Sequence, residues 1–467
     1  MKKKTQKRLA LGVAGLKGGS GKTLVSLALI RLLRKKGLVV GPFKKGPDYI
    51  DPEWLGLAAG LPCFCLDAYL MDRSMLQRAF FKAHQQCDIV LVEANRGVFD
   101  GLDSLGSYSF AEIAKLLGIP VILVIDCTKV TTTTAAFVKG VQALDPDLLV
   151  VGVILNRLAG SRQQEVATEA IRHFTGLPVL GAIPKFQGEG LSEHSLGLVP
   201  PIERSNPGRF LNVLAKHLTP YLKLEEILQA AVDSSSRALF EGNLEPLLPT
   251  SRNNPKIGIL QDQAFHFYYE ENLRALRAQG AGLVPINALN DKSLPSDIHG
   301  LYIGGGFPER FAEALAANIS FKESLKRAIL SGLPVYAECG GFLYLSKALQ
   351  IESQEFPMVG IFPFRFKVEV KPQAHGYTAF RAVSQNPYYP LGQSILGHEF
   401  RYARVINPKT LNQRSFVFNM ERGVGLWNGL DGALFRNALG SFQHTHAFSK
   451  NVAWIKSLVR MAKRSRG

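Results

Sequence analysis

Short apolar runs recur along the first half of the chain: Leu9 to Ala14, Asp88 to Glu93, Pro120 to Asp126, Leu148 to Asn156 and Pro178 to Ile183. Between them lie stretches with apolar residues at helical spacing, such as Thr23 to Lys36 and Phe110 to Leu117. Runs without polar alternation read as strands buried on both faces, and their alternation with helices predicts a parallel sheet covered on each side. The pattern breaks between about Glu203 and Pro255, where Pro207-Gly208, Ser234 to Ser236, Glu245-Pro246 and Arg252 to Pro255 act as punctuation. It then restarts. Lys256 to Leu260 reads as a strand, Phe267 to Gln279 as a helix ending at Gly280, and Leu301 to Gly304 and Pro334 to Glu338 as strands running into glycines. The expectation is two three-layer α/β domains, residues 1–235 and 256–467, joined by a linker at 236–255.

Composition narrows the class. The 467 residues are 46% hydrophobic and 20% charged, enough for full-size cores, which excludes a disordered tail or a small stapled scaffold. The net charge of +17 favours an anionic partner such as a nucleotide or a polycarboxylate, although part of it sits at the ends, in Lys2 to Lys4, Lys7, Arg8 and Arg460 to Arg466. Five cysteines without metal-ligand spacing point to a reducing compartment. With no signal-peptide pattern and no long apolar span, a cytoplasmic location and no membrane partner are expected.

Two motifs carry chemistry. Gly15-Leu16-Lys17-Gly18-Gly19-Ser20-Gly21-Lys22-Thr23 follows the first strand and opens a helix. Gly18, Gly19 and Gly21 let successive backbone N–H groups face phosphate oxygens; Lys22 would neutralise the outer phosphates of ATP and Thr23 would ligate Mg²⁺. Leu16 occupies the usual first glycine position, so the loop fits a variant with glycine one step earlier. With Lys17 it resembles the loop of partition-type ATPases, in which that lysine crosses a dimer; this leaves a homodimer open. Mg²⁺ also requires hard oxygen ligands, for which Asp48, Asp51 and Glu93 lie near strand ends.

The second motif is Glu338-Cys339-Gly340-Gly341 at a strand-to-helix turn, which would expose the Cys339 thiol as a nucleophile. Ser441-Phe442-Gln443-His444-Thr445-His446 downstream offers an imidazole base, and Gly304-Gly305-Gly306 offers backbone N–H groups for an oxyanion.

Together with Phe43 to Pro52, Phe99-Asp100-Gly101, Gly304 to Glu309 and Gly397-His398-Glu399-Phe400, these motifs resemble the cobyrinic acid a,c-diamide synthases. The resemblance implies a P-loop NTPase-like N-terminal domain, akin to dethiobiotin synthetase, and a class I glutamine amidotransferase-like C-terminal domain. It implies ATP, glutamine and a polycarboxylated tetrapyrrole as partners, with no nucleic acid. The implied reaction is phosphorylation of a ring carboxylate followed by attack of ammonia released from glutamine. It assigns Asp48 and Glu93 to the metal, Asn156 to the nucleotide, Cys339 to the glutaminase nucleophile and His444, ahead of His446, to its base. The third triad member is not placed; Glu399 is one candidate. Departures from the family are Lys17, Leu55, His194 to Leu198 and Arg401, which bear on the macrocycle: sirohaem and nickel-sirohydrochlorin are the alternatives to cobyrinate. A partition-type ATPase is the competing class, and it leaves Cys339 and His444 without a purpose.

Overall fold

The structure is a computed structural model and describes residues 9–186, 199–234, 255–406 and 416–465. The 236–255 linker, except for Pro255, and the His194 to Leu198 departure lie outside the described residues, as do the basic residues of the N-terminus. The chain divides into two compact units, Met1–Leu247 and Leu248–Gly467.

The first unit holds seven strands: β1 (Leu9–Gly15), β2 (Val40–Lys45), β3 (Phe64–Leu66), β4 (Ile89–Gly97), β5 (Val121–Asp126), β6 (Val150–Leu158) and β7 (Val179–Pro184). They form one sheet in the order β3-β2-β4-β1-β5-β6-β7, with every pairing parallel. The central strands β1 and β5 are buried over all but one terminal residue each, as their apolar runs require. Helix Lys22–Lys35 starts directly after β1 and the glycine loop, and it buries Val25, Leu29, Leu32 and Leu33 against the sheet core. Strand order reverses at β1, so the loop opens into the crevice where such sheets place ligands. The sequence pattern missed β2 because Gly41, Pro42, Lys44 and Lys45 interrupt its apolar run.

The second unit contains β8 (Lys256–Leu260), β9 (Gly282–Ile286), β10 (Gly300–Ile303), β11 (Val335–Glu338), β12 (Ala348–Ile351), β13 (Gln354–Pro357), β14 (Arg365–Val368), β15 (Ala374–Ala382), β16 (Ser394–Arg401), β17 (Ala403–Val405), β18 (Phe416–Arg422), β19 (Leu430–Phe435) and β20 (Ala438–Ser441). Nine form a mixed sheet, β16-β15-β18-β19-β20-β11-β10-β8-β9, and four a smaller one, β13-β12-β14-β17. The β20-β11-β10-β8-β9 portion is parallel and the rest of the large sheet antiparallel, an extension the βα pattern did not announce. The helix expected from Phe267 begins only at Glu270, because the backbone N–H groups of His266 and Phe267 bond the Gly305 carbonyl instead. Among the described residues, no helix is long and apolar enough to cross a membrane.

Candidate active site

The first unit gathers its charged residues at the C-terminal ends of β1, β2 and β4. In the glycine loop, Gly19 and Gly21 take positive φ, 71° and 95°. Gly15 explains the displaced glycine: a β-carbon there would sit 2.2 Å from Ser20 Oγ. Lys22 Nζ folds back and donates to the Lys17 carbonyl at 3.1 Å. Thr23 Oγ1 donates to Glu93 Oε1 at 2.9 Å.

Register β2–β4 sets Lys44 beside Glu93. The Lys44 ammonium is buried among carboxylates, 2.6 Å from Glu93, 2.5 Å from Asp51 and 3.8 Å from Asp48. Burial opposes its charge, but these neighbours outweigh it and hold Lys44 well above the ordinary lysine range. Burial and the adjacent Asp51 push Asp48 up to about 7. Asp51 is also buried, yet Lys44 keeps it below its usual value. Asp48 additionally accepts from the Ile50 and Asp51 N–H groups at the start of helix Ile50–Ala59. Glu93 Oε2 is buried and has no hydrogen-bond partner among the described residues. An orphaned carboxylate oxygen beside the Thr23 hydroxyl suits a hard cation, so Thr23, Glu93 and Asp48 are the residues that could hold Mg²⁺.

Asn156, expected at the nucleotide base, is tied to the loop. Its amide donates to the Ser20 carbonyl at 2.9 Å and its oxygen accepts from Arg157 N at 2.9 Å. Lys17 lies 3.1 Å from Asp126, which also pairs with Arg157 at 2.8 Å.

In the second unit, Cys339 takes φ 46° and ψ −102°, a strained conformation at a sharp strand-to-helix turn. Gly341 makes the turn fit: its N–H bonds the Gly304 carbonyl, and a β-carbon would lie 2.6 Å from the Ile303 carbonyl. The Gly306 amide nitrogen is only 3.0 Å from where a Gly340 β-carbon would stand, so the two loops meet at the elbow.

The Cys339 thiol donates to the Phe400 carbonyl at 3.5 Å, and His444 is the imidazole coupled electrostatically to it. Burial alone would strip His444 of its proton, but Cys339 first and then Glu338 raise it to about 10. Glu338 Oε2 lies 3.7 Å from His444 Nδ1 and accepts from Tyr302 Oη at 2.9 Å. Thr445 N donates to Glu338 Oε1 at 3.2 Å, and Trp454 Nε1 donates to Thr445 Oγ1 at 2.8 Å. The Trp454 ring stacks flat on Tyr336 with centroids 4.1 Å apart. His398 stacks on His444 with ring centroids 4.9 Å apart. Burial and the His444 charge hold it well below the usual histidine range. Gly305 packs against the His444 ring edge, where a β-carbon would come within 2.8 Å of Cε1. His446 instead faces Glu271 at 3.4 Å. Glu399 anchors the backbone N–H groups of Val424 and Gly425.

Sequence reading therefore missed Lys44, Glu338 and His398. Lys44 and Glu338 sit next to the motifs, yet only the fold shows what they face. Of the three departures at described positions, Lys17 is exposed and the other two are internal. Leu55 is fully buried in the core. Arg401 is buried over Phe442, with its guanidinium on the Ala403 and Gly425 carbonyls.

Residues 11–193 match the CobQ/CobB/MinD/ParA nucleotide-binding domain family, and residues 256–452 match the CobB/CobQ-like glutamine amidotransferase domain. A cobyrinate a,c-diamide synthase of Magnetococcus marinus is 38% identical over 93% of both chains. Its counterpart from Archaeoglobus fulgidus is 37% identical over 94% of this chain and 95% of the relative. That of Listeria monocytogenes is 36% identical over 95% and 97%. With both units matched and near full-length likeness to these enzymes, the chain belongs to the cobyrinate a,c-diamide synthase family of glutamine-dependent carbon–nitrogen ligases.

Proposed function

We propose that this enzyme converts the a and c side-chain carboxylates of cobyrinic acid to amides in the cytoplasm, using ATP and glutamine. The observation that carries the reading is the pair of centres in one chain: a phosphate loop beside a carboxylate cluster, and a strained cysteine coupled electrostatically to a buried histidine. A carboxylate is a poor electrophile, so it must first gain a leaving group. Transfer of the γ-phosphoryl group of ATP gives an acyl phosphate, and this step is mostly positioning and charge neutralisation. Lys22 and the N–H groups of Gly18, Gly19 and Gly21 hold the phosphates, with Asn156 supporting the loop through Ser20. Mg²⁺, held by Thr23, Asp48 and Glu93, would supply charge neutralisation at the phosphates.

In the second unit the Cys339 thiolate attacks the side-chain amide carbon of glutamine. His444 delivers its proton to the departing nitrogen, which leaves as ammonia, and water then hydrolyses the thioester to glutamate. The backbone N–H groups of Gly306 and Gly340 would receive the oxyanion. Ammonia attacks the acyl phosphate carbon and expels phosphate, leaving an amide.

Near full-length likeness to cobyrinate a,c-diamide synthases supports the macrocycle, and the internal positions of Leu55 and Arg401 remove two reasons for preferring another. The test offers cobyrinic acid, sirohydrochlorin and sirohaem side by side with ATP and glutamine and counts amides by mass spectrometry. Two amides on cobyrinic acid are expected. Amidation confined to sirohaem or sirohydrochlorin would transfer the reading to that substrate, and no mass change on any ring would overturn it.

A further inference from the structure

We propose that Glu338, the residue immediately before the nucleophile, is the carboxylate that orients His444 and holds its imidazolium, so that the glutaminase triad is Cys339, His444 and Glu338. This rests on the glutaminase reading above. Glu338 ends β11, and its register opposite Ser441 on β20 brings it level with the segment that carries His444. Its side chain is 1% exposed, and a buried carboxylate needs donors around it. It has them in Tyr302 Oη at 2.9 Å and Thr445 N at 3.2 Å, with His444 Nδ1 as the third neighbour at 3.7 Å.

The other acidic groups nearby are engaged elsewhere. Glu399 binds the Val424 and Gly425 amides, Glu271 faces His446, and Asp431 accepts from Gly432 N, Phe442 N and Gln443 Nε2. His444 is thus faced on three sides: its ring face by His398, its Cε1 edge by Gly305 and its Nδ1 by Glu338, whose carboxylate stands 3.7 Å away, just beyond hydrogen-bond length. A carboxylate on Nδ1 keeps the proton there when the ring is neutral and leaves the other nitrogen for the sulfur. During turnover the proton taken from the thiol passes to the amide nitrogen, and the ring regains one from the water that opens the thioester. Glu338 stays ionised throughout and acts only through His444, as a positioning residue.

The test uses the full chain. Glu338→Gln should lower kcat for glutamine hydrolysis about 100-fold or more, with KM changed within about threefold. It should also move the alkaline limb of kcat/KM to lower pH, because the imidazolium loses its counter-charge. Glu338→Asp should recover part of the loss, and ammonia-dependent amidation should persist as the sign of an intact fold. Should Glu338→Gln fail to fold, Tyr302→Phe, which loosens the carboxylate, must show the same direction of limb shift. An unmoved limb with wild-type kcat in Glu338→Gln, or an unmoved limb in Tyr302→Phe, overturns the assignment. So does a lost kcat and shifted limb in Glu399→Gln alone. Cys339→Ala separates the two ideas: if it still hydrolyses glutamine, the glutaminase reading itself is wrong. If it is inactive while Glu338→Gln behaves as wild type, only Glu338 is misassigned.

Discussion

His444 reverses what burial does to an imidazole. Its ordinary value of 6.5 rises to about 10 because Cys339 and Glu338 favour the charged form more than burial disfavours it. Between those values the native protein keeps a proton that the unfolded chain has released, so stability falls as pH rises. The contribution is full below about 6.5 and gone above about 10. Cys339→Ala removes the largest supporting interaction, so its denaturant midpoint should drop less than the wild type's between about pH 7 and pH 9.5. Parallel midpoints in the two proteins would refute the raised value at His444. Lys22, Thr23 and Cys339 could be singled out in the sequence because they stand at set offsets from glycines and strand ends, and His444 because the family resemblance implies a base two residues after an aromatic. Glu338 and Lys44 could not, since their roles come from neighbours supplied by other strands: Tyr302 and Thr445 for one, Glu93 for the other.

At the scale of elements, the parallel strands announced themselves by unbroken apolar runs. β2 and the antiparallel strands β15 to β19 did not, because their exposed or charged positions dilute the pattern. The same limit placed the helix start at Phe267, where the backbone is captured by Gly305. The elbow after β11 tolerates little change. Gly341→Ala would press a methyl group into the Ile303 carbonyl and side chain, at 2.6 and 2.7 Å. Overpacking of this kind costs about 1–3 kcal/mol. Thermal unfolding should show that loss together with reduced glutamine hydrolysis, because the displaced turn carries Cys339. Full activity at wild-type stability would mean the turn yields without moving the nucleophile.

For the whole molecule, the proposed function gives each unit one half of the reaction. Lys22→Ala should abolish ATP-dependent amidation with glutamine or with free ammonia, as phosphoryl transfer rests on charge neutralisation. Glutamine hydrolysis without ring substrate should stay within about twofold of wild type, since Lys22 lies in the other unit. Amidation that survives with ammonia would show that the loop does not bind the reacting phosphates.

The indole of Trp454 has a practical bearing on such experiments. It lies against Tyr336 and gives its N–H to Thr445, the residue that also braces Glu338. A fluorophore two hydrogen bonds from the acidic partner of the imidazole feels the local electric field change when the sulfur is acylated or the ring discharges. Trp54, buried in the other unit, emits from a separate environment. On the proposed mechanism, a change in Trp454 emission above the background of Trp54 and Trp427 would report thioester formation during turnover without any added label.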